Sequence, residues 1–292
     1  MSDRSSNPLR IVTFNNLPAA FDAVQGWAAA AGHTVVLAVT SPGPKTRRSA
    51  GYREIAATAG EKNIELLIST RIKTVVTPAV AALKPDLIVS FTFPWRLTPE
   101  LLAIPRLGAI NLHPTLLPAY RGPNVMRQFF DASPRIGATL HWMDAEFDTG
   151  PILSQHSVAL PRPCTAQTAF GAWQSAIMAA LVEGAERAIA GERGTPQPTA
   201  GASYAGAFTE AEYWLDLTEA ASALQCKAMA LSLFAGPSVK TRVNGVAWAI
   251  TRIDLADTPA GSHTPGSVIE TLPDGLIVQT SEGVARLIAK PV

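Results

Sequence analysis

The N-terminal half of the chain alternates short apolar, β-branched runs with stretches of helical character, and this alternation does most to restrict the fold. Residues 9–14 (LRIVTF), 33–40 (HTVVLAVT), 64–70 (IELLIST), 86–91 (DLIVSF), 108–113 (GAINLH) and 138–144 (ATLHWMD) each read as a strand. The first is apolar on both faces, as a strand covered on both sides must be. Between them, 18–31 is Ala-rich and helical in character, 41–53 is a polar loop with Pro and Gly, and 75–83 reads as a short helix. Strands spaced this way are joined by crossovers, so they predict an α/β, Rossmann-like, mostly parallel sheet covered on both faces. In such sheets ligands sit outside the carboxyl ends of the strands.

A long helix is expected over 166–190, closing a first domain of residues 1–190. The Gly- and Pro-rich stretch 191–206 (GERGTPQPTAGASYAG) reads as a linker. Residues 207–292 then read as a small β-rich, barrel-like second domain. It has a helix at 216–233 and strand-like runs at 239–243, 246–253, 275–280 and 284–289, with turn signals at Asn244-Gly245 and Asp274-Gly275.

Composition excludes several classes. Hydrophobic residues make up 47% and charged residues 16% of the 292, which is globular rather than disordered. The net charge of +1 forces neither a polyanion nor a membrane as partner. From Gly206 onward there are six Lys or Arg against nine Asp or Glu, a net −3. Cys164 and Cys226 share no CxxC spacing, so inert thiols and a cytoplasmic setting are expected. GxGxxG, P-loop, GxSxG, HxH and HExxH patterns are all absent, which argues against dinucleotide, nucleotide triphosphate, serine-hydrolase and zinc chemistry.

The densest segment is 108–155, GAINLHPTLLPAYRGPNVMRQFFDASPRIGATLHWMDAEFDTGPILSQ. Asn111 and His113 are two apart at a strand end, so they share a face, and Pro114 stops the strand. A second turn, Asp148-Thr149-Gly150-Pro151, follows the next strand. The segment resembles the folate-dependent formyltransferase family, whose pattern runs roughly N-x-H-P-S-L-L-P-x-[YW]-R-G and then T-G-x-T-x-x-x-M-D-x-x-x-D-x-G. The family includes methionyl-tRNA, glycinamide ribonucleotide and amino-sugar formyltransferases. The two-domain layout resembles the first of these and the sugar enzymes that share it.

The resemblance implies a catalytic trio, Asn111, His113 and Asp148, and 10-formyltetrahydrofolate as formyl donor, with no metal. Formyl transfer develops negative charge on the formyl oxygen, which the Asn111 amide and a His113 N–H can meet. Asp148 can accept the proton that the attacking amine loses, and can orient His113. The folate is expected along Phe93, Pro94, Trp95, Arg96 and Leu97 and along Asp144, Ala145, Glu146 and Phe147. Thr115, Arg121 and Gly122 are the expected acceptor contacts, although Arg121 could equally brace its loop. His141 reads as a packed or hydrogen-bonded structural histidine.

Three departures from the pattern stand out, and the last bears on the acceptor. Thr115 stands for the usual Ser, Arg135–Thr139 lacks the Thr-Gly pair, and Asn15-Asn16-Leu17-Pro18 stands where methionyl-tRNA formyltransferases usually have Gly-Thr-Pro. With the acidic second domain, the missing Gly-Thr-Pro favours a small-molecule or sugar amine over methionyl-tRNA. The basic residues Lys45, Arg47, Arg48 and Arg53 read equally as a solvated surface loop or as an acceptor-binding one that points the other way, toward tRNA. Hydrolysis of the donor and non-catalytic folate binding are the readings outside transfer.

Overall fold

A computed structural model describes residues 8–43, 50–233, 237–256 and 263–292. The chain runs β1 (Arg10–Asn15), α1 (Pro18–Ala30), β2 (Thr34–Thr40), α2 (Gly51–Glu61) and β3 (Leu66–Ile68). A wide helical turn, Ile72–Val76, leads into α3 (Thr77–Leu83), followed by β4 (Leu87–Phe91), α4 (Pro99–Leu102) and β5 (Ala109–His113). Next come α5 (Arg127–Phe130), β6 (Arg135–Trp142), β7 (Ile152–Ala159) and α6 (Ala166–Ile189). Two compact units form. One comprises the described residues of Met1–Arg121, Gly137–His156 and Ala176–Ser203; the other comprises those of Gly122–Ile136, Ser157–Ser175 and Tyr204–Val292.

Among the described residues the first sheet has the order β3-β2-β1-β4-β5-β6-β7. β1 to β5 are parallel and β6 runs antiparallel to β5. The order reverses at β1, which places a switch point between β1 and β4. Alternation along each strand divides the core into two layers. Ile11, Val89, Ile110 and Leu112 pack with α1 and the second half of α6. Val12, Phe14, Ile88 and Ala109 pack on the other face with Val76, Val80, Leu97 and Leu101. Asn111 and His113 alternate with Ile110 and Leu112, so they lie on the Ala109 face, at the carboxyl end of β5.

Local chemistry sets the boundaries. Pro18 and Pro99 occupy first turns, where a missing N–H does no harm, and the Thr98 hydroxyl accepts from Leu101 N. Several elements are absent from the sequence expectation, and β7 and α2 are the longest of them. β7 is an eight-residue strand in which the polar Gln155 and His156, on opposite faces, hide its period, and α2 occupies part of the expected loop. α2 buries only Gly51, Ile55 and Ala59, too few apolar residues to stand out in sequence. Arg53 accordingly lies on a helix; Lys45, Arg47 and Arg48 fall outside the described residues.

The second sheet is antiparallel, of order β10-β11-β12-β9-β8 among the described residues. It is built from β8 (Val239–Val243), β9 (Val246–Ala256), β10 (Val268–Leu272), β11 (Gly275–Gln279) and β12 (Val284–Pro291), with α7 (Ala221–Ser232) packed on β9. Asn244 and Gly245 both have positive φ, as the tight β8–β9 hairpin requires. In this unit Arg127 pairs with Glu212 and lies over the rings of Phe130 and Phe208. The Glu212 carboxyl is held down at about 2, chiefly by that guanidinium. Cys164 and Cys226 are both buried and free. No helix among the described residues is long and apolar enough to cross a membrane.

The Gly/Pro stretch 191–206 is tied down through Ser203 to the first unit. Thr195 and Ile152 exchange two backbone hydrogen bonds, and Ser203 N donates to Pro118 O while its own carbonyl accepts from Arg121 N.

Candidate active site

β5 delivers Asn111 and His113, β6 delivers His141, and the turn between β6 and β7 delivers Asp148. His113, His141 and Asp148 are all buried, at 5%, 2% and 9% exposure, so the polar groups must satisfy one another. The Asn111 amide nitrogen lies 3.2 Å from Asp148 Oδ1 and 3.2 Å from His141 Nε2. His113 Nδ1 lies 3.5 Å from Asp148 Oδ2, and His141 Nε2 lies 3.7 Å from Asp148 Oδ1.

Backbone carbonyls settle the tautomers, because a carbonyl can only accept. His113 Nε2 sits 2.8 Å from Tyr120 O, so Nε2 carries a hydrogen. His141 Nδ1 sits 2.7 Å from Trp142 O, so Nδ1 carries one. A neutral His141 then presents a bare Nε2, to which Asn111 donates one amide hydrogen while the other goes to Asp148. This network fixes which way the Asn111 amide faces. A neutral His113 likewise presents a bare Nδ1 to Asp148 Oδ2, leaving a place where a proton can be shared. Burial pushes His113 below its ordinary 6.5, while the Asp148 carboxylate and the Tyr120 carbonyl pull upward and His141 adds a smaller downward push.

The backbone around these groups is unusual. Asp148 has φ +56° and Tyr120 has φ +58°, both in the left-handed region that L-residues seldom enter. A side chain at Gly150 would collide with the Trp142 carbonyl, so only glycine lets the turn close on β6.

A family profile described as "Formyl transferase" matches residues 10–182, more than half of the chain. The methionyl-tRNA formyltransferase of Roseiflexus sp. (strain RS-1) is 31% identical across 96% of this chain and 87% of its own length. That of Paraburkholderia xenovorans (strain LB400) is 34% identical across 86% of this chain and 71% of its own. The chain belongs to the folate-dependent formyltransferase family. Solved structures agree in fold. The Helicobacter canadensis N-formyltransferase, in complex with folinic acid and dTDP-3-aminofucose, has a TM-score of 0.67 at 15% identity, covering 98% of this chain and 100% of that one. HypX from Aquifex aeolicus has a TM-score of 0.64 at 16% identity, covering 96% of this chain but 45% of that one.

Among the residues that the formyltransferase pattern suggested for folate, Phe93 and Trp95 pack half-buried on the layer containing Leu97, which is itself fully buried. Phe93 meets Phe14 edge-on at 5.1 Å, and Trp95 Nε1 donates to Ser41 Oγ. Pro94 is half-buried, Arg96 is exposed, and Arg96 lies 3.6 Å from Glu146. The Asp144 carboxylate accepts from Glu146 N and Thr149 Oγ1, which shapes the 144–149 loop; Ala145 and Phe147 are exposed on it.

Of the expected acceptor contacts, Thr115 is fully buried and its hydroxyl donates to Ala119 O. Arg121 donates to Gln197, and Gly122 belongs to the second unit, where its missing side chain makes room for the Tyr204 ring. His141, expected only as a packed or hydrogen-bonded histidine, meets Asn111 of the trio. Gln197 gave no signal at all from within a Gly/Pro stretch. Asn16 Oδ1 and Thr40 Oγ1, near the carboxyl ends of β1 and β2, are buried without a hydrogen-bond partner.

Proposed function

We propose that this formyltransferase moves the formyl group of 10-formyltetrahydrofolate to the primary amine of a small polar molecule, an amino sugar or similar compound. The observation that carries the transfer reading is the buried Asp148 carboxylate held between Asn111 Nδ2 and His113 Nδ1. Asp148 takes the proton that the amine loses on attack. His113 Nδ1, 3.5 Å away, then accepts from the protonated carboxyl, and the pair holds the proton until the bond from the formyl carbon to N10 breaks and N10 of the leaving tetrahydrofolate takes it up. Asn111 presents its amide in a fixed orientation, and a formyl oxygen seated against it takes the hydrogen otherwise given to His141 Nε2 as negative charge builds. Phe93, Trp95 and Phe147 would hold the folate ring.

Two observations support a small acceptor. The residues from Gly206 onward sum to −3, a poor surface for gripping phosphates, since tRNA affinity comes largely from neutralising them. The unpartnered acceptors Asn16 Oδ1 and Thr40 Oγ1 also call for a ligand with hydroxyl or amine donors near the sheet's switch point. Methionyl-tRNA is the second reading, favoured by the 31–34% identity to enzymes of that name.

The test is a panel of amino sugars, amino-sugar nucleotides and initiator methionyl-tRNA, each mixed with 10-formyltetrahydrofolate, following tetrahydrofolate release. A small amine that outpaces the no-amine control supports the proposal. Release without any amine shows hydrolysis. Efficient formylation of the tRNA, with affinity dropping steeply as salt rises, overturns the small-acceptor reading.

A further inference from the structure

Gln197 lies in the stretch whose composition suggests only a spacer, yet its side chain joins the two loops that frame the trio. Nε2 donates to Asp148 O at 2.9 Å and to Gly150 O at 2.8 Å. Oε1 accepts from Arg121 Nη2 at 2.6 Å and from Arg121 Nε at 3.1 Å. Both amide hydrogens are therefore engaged, as is the oxygen. The backbone around it is anchored by the Thr195–Ile152 pair on one side and by Ser203 on the other.

The groups it grips are the strained ones. Asp148 sits at φ +56°, a conformation that costs a non-glycine residue about 1 kcal/mol or more, so its turn persists only if something outside holds it. Gln197 holds the carbonyls of both Asp148 and Gly150, the two ends of that turn. Arg121 follows Tyr120, at φ +58°, whose carbonyl fixes His113 Nε2. One amide thus links the turn that carries Asp148 to the loop that orients His113.

We propose that Gln197 is a positioning residue that sets the separation of Asp148 Oδ2 from His113 Nδ1 by clamping the 148–150 turn to Arg121. Its kinetic consequence rests on the transfer reading above; its geometric consequence does not. The titratable groups acting on His113 are Asp148, which raises its pKa, and His141, which lowers it. Letting the Asp148 turn drift away removes the upward influence, so His113 should titrate at lower pH.

Gln197→Glu separates the two arms. A carboxylate still accepts from Arg121 but faces the Asp148 and Gly150 carbonyls with no hydrogen to donate. Gln197→Ala removes both arms. Each variant is examined by 15N-histidine NMR across pH, by single-turnover rate and by thermal midpoint. In both, the His113 resonance should titrate at lower pH. The chemical step should slow by about tenfold or more, as small displacements of a reacting group commonly do, with the amine KM moving less. A residue that only stabilises the fold would lower the thermal midpoint and the active fraction while leaving the His113 titration in place. A folded Gln197→Glu protein with wild-type His113 titration overturns the proposal. If Gln197→Glu moves His113 but Asp148→Asn leaves turnover untouched, the transfer role of Asp148 fails and the positioning role stands. The reverse pair of results removes the positioning role alone.

Discussion

Replacing Asp148 with Asn changes one oxygen for an NH2 beside Asn111 and His113. Asn111 still finds an acceptor if the new carbonyl oxygen takes the Oδ1 place. The new NH2, in the Oδ2 place, then points at His113 Nδ1, a bare nitrogen able to accept. One charge-assisted hydrogen bond, worth about 1.5–3 kcal/mol, is exchanged for neutral ones worth about 0.5–1.5 kcal/mol each, and a buried carboxylate no longer has to be desolvated. These terms nearly cancel, so stability should change by about 1 kcal/mol or less, a midpoint shift of about 2–4 °C for a unit of this size. The chemistry does not cancel. The variant has no group to accept the proton from the amine, and positioned proton transfer is worth about 10²–10⁴ in rate, or about 3–5 kcal/mol in the barrier. His113 also loses its upward influence and should become still harder to protonate. Single-turnover formyl transfer, run beside thermal melts, checks both halves. A folded Asp148→Asn protein that transfers formyl at the wild-type rate would falsify the role assigned to Asp148.

Asn111→Ala should raise the barrier by about 2–4 kcal/mol, seen in the chemical step rather than in donor affinity; a change confined to donor binding would make Asn111 a binding residue only. The folded-state pKa of His113 is depressed, so the unfolded chain binds more protons below the ordinary 6.5. The contribution of His113 to stability should therefore be complete above that pH and decline as pH falls below it, a slope that His113→Gln should lessen in urea titrations from pH 7.5 to 5. At Gly184, in α6, a Cβ would press on Ser154 Oγ and Leu140, and Gly184→Ala should destabilise the protein by about 1–3 kcal/mol in the same titrations.

The strands of the first sheet were legible where burial on both faces leaves an unbroken apolar run, as in β1 and β4. β7 was not, because a strand with polar residues on both faces, as at Gln155 and His156, loses both the continuous run and a clean two-residue period. β10 was equally hidden, since its glutamate and threonine are exposed and little of it is buried. The trio Asn111, His113 and Asp148 was readable through the motif spanning 108–155, because residue types and short spacings survive as a one-dimensional pattern.

The sequence by itself determined the α/β alternation, the trio of polar residues and the small acidic C-terminal part, all of which follow from local periodicity, charge and motif. Tertiary structure alone decided how the trio is wired. His141 lies 30 residues from Asn111 and Gln197 lies 49 from Asp148, separations across which no sequence period runs. Their roles arise because a buried donor or acceptor must find a partner wherever the chain brings one, and that requirement is met in space rather than along the chain.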